Sequence, residues 1–147
     1  GGGMRSRVFQ RVWEQLGLAY SGYTYSSFHA DSGMHGVYVA TAAESAGAAL
    51  DAIREELRLV VRDSLPSAEI AMGRQQLKGQ VTLSLESVSS RMYRAASVEL
   101  YGEPYRTLDD LLALIDGISD DDVAKAAFEF FDPAAMTVLS LGPKEPV

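Results

Sequence analysis

The apolar residues of this chain change period twice, and that restricts the folds open to it. Val8, Phe9, Val12 and Leu16 fall on one face of a 3.6-residue repeat, and Gly17 follows as a stop that can take positive φ. Residues 18–30 then switch to strand composition, with Tyr20, Tyr23, Tyr25 and Phe28 among serines and a threonine. Tyr23 and Tyr25 share one strand face, and Tyr20 and Phe28 the other. The cluster His29-Ala30-Asp31-Ser32-Gly33 reads as a turn. Val37, Val39 and Thr41 continue a second strand, with Tyr38 and Ala40 on its other face. An antiparallel hairpin is the expectation.

From Ala43 the repeat returns to three and four. Leu50, Ile53, Leu57 and Val60-Val61 lie on one side, with Glu55, Glu56, Arg58 and Arg62 on the wet side. Ser64 to Ser67 break this helix. Ser67 caps the next, which runs through Ile70, Leu77, Val81 and Leu85. Serines within residues 85–90 compete for backbone hydrogen bonds and predict a break there. A further helix over 92–101 stops at Gly102 and Pro104. Thr107 caps residues 108–115, and Ser119 with Asp122 caps residues 123–131. After Asp132-Pro133, residues 136–141 read as a strand ended by Gly142-Pro143. The class is α+β: a two-layer arrangement, with an antiparallel or mixed sheet covered on one face by helices. Residues 1–147 are expected to form a single domain, although three strands make a thin sheet for so many amphipathic helices.

Composition narrows function further. Thirteen basic against twenty acidic residues give a net charge of −7, which disfavours nucleic acid and anionic membranes as partners. Nothing approaches 18 uncharged apolar residues in a row. There are no cysteines, so disulfides, thiolate catalysis and cysteine zinc sites are excluded. That fits a reducing compartment, and a cytoplasmic location is the expectation.

Chemistry-bearing constellations are sparse. Catalytic zinc takes three nitrogen or oxygen ligands and an open position, whereas only His29 and His35 exist here, flanking a turn. They read as loop residues, and no metal is assigned. No Gly-x-Ser-x-Gly elbow occurs, and Asp31 beside His29 and Ser32 is turn composition rather than a triad. Asp120-Asp121-Asp122 lacks the ligand alternation of a calcium loop and suits a helix N-terminus. Gly1-Gly2-Gly3 has neither the preceding strand nor the Lys-Ser/Thr of a nucleotide loop. The remaining site-like feature is Tyr20, whose hydroxyl could point into a cleft from the helix-to-strand junction.

Residues 1–21, GGGMRSRVFQRVWEQLGLAYS, carry a resemblance. So do Gln75 to Gln80, the bend from Leu83 to Met92, Glu99-Leu100-Tyr101-Gly102, and the closing Phe131-Asp132-Pro133 to Gly142-Pro143. In order and spacing they resemble the second, non-catalytic half of zinc peptidases of the insulinase/pitrilysin type. That group includes mitochondrial processing peptidase subunits and bacterial processing proteases. The resemblance implies a two-half protein enclosing a chamber where unfolded peptides are cut. Zinc is then expected in the partner N-terminal half, or a companion subunit, with no cofactor and no catalytic residue in this chain.

The second half of such proteins supplies the chamber wall. It often carries an arginine and a tyrosine seven residues apart that contact the bound peptide. The tyrosine matches Tyr20, the substrate-binding candidate, but the arginine position falls on Trp13. An indole with one N–H donor there replaces a planar cation. Arg11, two residues away and about 200° around an α-helix, cannot take its place. Either the peptide contact is reshaped or the chain is a structural scaffold. The family's second half usually has a strand and a helix ahead of the glycine run. The expectation is therefore a sheet with an unpaired edge, which favours self-association.

Overall fold

The computed structural model describes residue 7 and residues 10–143. Gly1-Gly2-Gly3, Val8 and Phe9 lie outside the described residues. The chain divides into two compact units, Gly1–Asp63 with Ala127–Val147, and Ser64–Ala126.

The first unit holds the hairpin. Strand β1, Ser21–Phe28, pairs antiparallel with β2, Gly33–Ala40, in a register that sets Ser21 against Ala40 and Phe28 against Gly33. The alternation of the sequence sorts the faces. Val37 and Val39 turn toward a core of Val12, Ala49 and Ile53, while Tyr23, Tyr25 and Tyr38 remain on the outer face. Ala49 and Ile53 belong to α1, Ala46–Asp63, which a short 3-10 turn at Ala43–Ser45 introduces. Leu18, Ala19, Ala52 and Leu57 close the cluster. The unit is thus two-layered, with helix on one face of the hairpin as the amphipathic patterns require.

The helix expected before Gly17 is wound more loosely than predicted. Gln10–Gln15 is π-helical, and the Leu16 N–H reaches back five residues to the Arg11 carbonyl at 3.2 Å. Gly17 ends it at φ +59°, a conformation that costs glycine nothing.

The second unit is helical. Helix α2, Ser67–Ser84, begins one residue earlier than the cap reading, with Pro66 as N-cap. The serine-rich break falls at Leu85 to Ser87, and the Ser87 side chain accepts the Ser90 N–H at 3.3 Å to start α3, Val88–Tyr101. Gly102, at φ +65°, closes α3. Helix α4, Leu108–Gly117, starts from a capping box in which Thr107 and Asp110 satisfy each other's backbone N–H groups. It packs on α2, where Lys78 pairs with Asp116 at 2.6 Å. Helix α5 spans Asp120–Phe130.

The third expected strand is corrected. Residues 136–141 form no ladder, and among the described residues the sheet is the antiparallel β1–β2 pair alone, not a mixed one. A strand exists through its neighbour's hydrogen bonds, and none of the described residues supplies that neighbour. Leu139 and Leu141 are fully exposed there, at 95% and 102%.

Candidate functional site

Tyr20 stands where the π-helical segment hands the chain to β1, and the backbone around it is pinned at three points. The Leu18 N–H donates to the Val12 carbonyl at 2.9 Å, and the Thr41 hydroxyl donates to the Leu18 carbonyl. The Tyr20 N–H donates to the Ala40 carbonyl at 2.8 Å, tying the residue just before β1 to the last residue of β2. Leu18 and Ala19 pack on the core. The Tyr20 side chain is nevertheless 80% exposed. With the backbone fixed under an exposed ring, little backbone entropy would be lost if the phenol bound another molecule.

Trp13 lies within the π-helical segment. Arg11, in the same segment, is committed elsewhere. Its guanidinium donates to Gln15 Oε1 at 3.0 Å and lies 3.9 Å from Glu56 of α1, so it braces the segment against that helix.

The other aromatic residues divide as their parity requires. Tyr23 stacks on Tyr38 directly across the hairpin, with ring centres 5.0 Å apart, and meets Tyr25 at 6.2 Å. The Tyr25 ring lies over Gly36, where an added Cβ would come within 2.5 Å of it. Sheet packing therefore accounts for these rings. Tyr38 lies on the face that the sequence pattern assigns it, opposite Tyr23. Phe28 is 80% exposed at the end of β1.

The histidines do not converge. His29 Nε2 lies 3.5 Å from the Ser27 hydroxyl, and the His29 N–H closes the turn onto the Ser32 carbonyl at 2.8 Å. Asp31 accepts from Ser32 rather than orienting His29. His35 Nδ1 lies 2.9 Å from the Ser26 hydroxyl, and its ring sits 4.8 Å from that of Phe131. Desolvation there lowers the His35 pKa, favouring the neutral imidazole. Among the described residues no group of three or more His, Asp or Glu is placed to hold a metal ion. The acidic run serves α5: Asp122 accepts from the Ser119 hydroxyl and N–H, Asp120 pairs with Arg74, and Asp121 with Lys125.

Comparison with known proteins decides the family. The family model described as the peptidase M16 inactive domain matches residues 1–77. The chain belongs to the M16 peptidase family. Within that family this inactive domain is 38% identical over 131 residues to a protein of Bacillus subtilis (strain 168) described as an uncharacterized zinc protease. It is 40% identical over 127 residues to an uncharacterized zinc protease of Streptomyces coelicolor. These alignments cover 89% and 86% of the chain but 32% and 28% of the relatives, so the M16 domain spans about a third of their length. A chain in the structure of complex III2 from Candida albicans, with Inz-5 bound, shares the fold at a TM-score of 0.72 and 22% identity. That match covers 86% of this chain and 30% of the other. Both relatives are described as zinc proteases, but the donors among the described residues do not fit a zinc site: two histidines, each beside its own serine, and no third ligand grouped with them.

Proposed function

We infer that this M16 inactive domain is the non-catalytic half of a zinc metallopeptidase, forming the chamber wall opposite a zinc-bearing half and touching the peptide through Tyr20. The observation that carries the reading is the junction: a backbone fixed by Leu18, Thr41 and Ala40 presents an exposed phenol. A phenol hydroxyl can donate to a peptide carbonyl and accept from a peptide N–H, so it contacts unfolded peptides without regard to their side chains. The partners under this reading are a zinc-bearing N-terminal half or companion subunit, a peptide substrate, and a second copy of the chain.

A second reading is a scaffold with no substrate role. Trp13 at the position of the contact arginine favours it, as does the engagement of Arg11 with Gln15 and Glu56.

Tyr20→Phe separates the two in a peptidase reconstituted from this chain and a zinc-bearing half. Loss of one hydrogen bond to substrate raises KM about two- to twelvefold, from a typical net hydrogen-bond worth of about 0.5–1.5 kcal/mol. An unchanged KM and kcat would leave the scaffold reading standing and remove Tyr20 from the site.

A further inference from the structure

Helix α3 carries an apolar ridge for which the fold has no use. Val88, Met92, Ala96 and Leu100 follow one another at four-residue steps and all are exposed, Val88 at 79%, Met92 at 58% and Leu100 at 78%. At 1.5 Å per residue the ridge is about 18 Å long. Helix α3 is held to its own unit from a different side. The Arg94 guanidinium donates to the Arg106 carbonyl and lies 4.9 Å from the centre of the Tyr105 ring. Single exposed apolar residues are ordinary on a protein surface, but a continuous row of four is the kind of patch that marks an interaction site.

The charges beside the ridge say what fits it. Arg91 and Glu99 are exposed, and neither enters an ion pair among the described residues. Arg91 lies four residues before Ala95 and Glu99 four residues after it. If a second α3 crosses antiparallel at Ala95, each Arg91 therefore meets the other copy's Glu99, twice over. That is the self-complementarity a two-fold interface requires. A parallel pair would set Arg91 against Arg91. Ala95 and Ala96 at the crossing let the helix axes approach, and rows at four-residue spacing interdigitate at about −50°. Met92, Val88 and Leu100 then fill the space on either side.

We propose that α3 is the docking surface for a second copy of this chain, in an antiparallel two-fold pair centred on Ala95. The proposal does not rest on the peptidase reading, and it differs from pairing through a free sheet edge. Sedimentation velocity of the whole chain over a range of concentration tests it. The chain dimerises, and raising salt weakens the dimer because exposed ion pairs are screened. Ala96→Glu yields monomer. Arg91→Glu and Glu99→Arg each weaken association about tenfold or more by facing like charges, and the double variant R91E/E99R recovers most of the affinity because the pairs are restored in reverse. Circular dichroism of each variant checks that α3 is retained; if Ala96→Glu fails to fold, the charge-swap series decides alone. A chain that stays monomeric at high concentration overturns the proposal. So does a dimer indifferent to Ala96→Glu, or one weakened by both single swaps and not recovered by the double.

Discussion

Ile53→Ala measures whether the cluster of Val12, Ala49 and Ile53 is the core of its unit. Ile53 is 6% exposed and packs between the hairpin and the π-helical segment. Removing three carbons forfeits about 2.4 kcal/mol at ~0.8 kcal/mol per buried methylene. The cavity left behind raises the loss toward about 3–4 kcal/mol, within the usual range for such truncations. Set against a total of about 5–15 kcal/mol for a typical domain, that is a large fraction. Leu139→Ala removes the same number of carbons from a side chain 95% exposed, and should cost no more than about 0.5 kcal/mol. Urea unfolding followed by far-ultraviolet circular dichroism and by the emission of Trp13, the sole tryptophan, reads both. With a slope of about 1–3 kcal/mol/M, Ile53→Ala shifts the midpoint by roughly 1–4 M and Leu139→Ala hardly at all. Equal shifts for the two variants would refute the assignment of the core.

Further predictions concern helix starts and pH. Thr107→Ala removes a cap and costs about 1 kcal/mol at neutral pH. Hydrogen bonds from Thr107 hold the Asp110 carboxyl below its usual pKa, so the contribution is present above about 3.9 and is lost as pH falls through the folded value. The stability gap between Thr107→Ala and the parent therefore narrows as pH falls below about 3.9 and through the lowered folded value; a gap constant with pH would contradict the capping box. His35 has its pKa lowered by desolvation, so its neutral form is the one that suits the fold. Its contribution is full above about 6.5 and falls as pH drops through the folded value. His35→Phe should flatten the stability profile between about pH 7 and 5, and an unaltered slope in thermal melts would show that the ring is not desolvated against Phe131.

Much of this was legible in the sequence because local chemistry decided it. The hairpin registered on the alternation of Val37 and Val39. Two helices started where Thr107 and Ser119 could cap them, and α3 stopped at Gly102 but started at Val88, four residues before the expected residue 92. Less legible were features decided by neighbours far along the chain. The π-helical winding of Gln10–Gln15 does not follow from its 3.6-residue pattern, since the Leu18 N–H reaches the Val12 carbonyl through contacts made after Gly17. Residues 136–141 have strand composition, yet pairing is a property of two segments and the second is not among the described residues. The position of Tyr20 was readable from its motif. Its three-point anchorage was not, because Thr41 and Ala40 lie some twenty residues away.

Under the proposed reading this domain is the non-catalytic half of a zinc metallopeptidase and does not cut by itself. The most direct test of that reading is cleavage of a quenched fluorescent peptide by the purified chain, by the portion of the Bacillus subtilis relative that the chain does not match, and by the two together, with and without a zinc chelator. The account predicts no zinc-dependent cleavage by the chain alone and chelator-sensitive cleavage when the two are mixed, above that of the other portion by itself. Zinc-dependent cleavage that tracks with this chain alone, and survives its repurification, would contradict it.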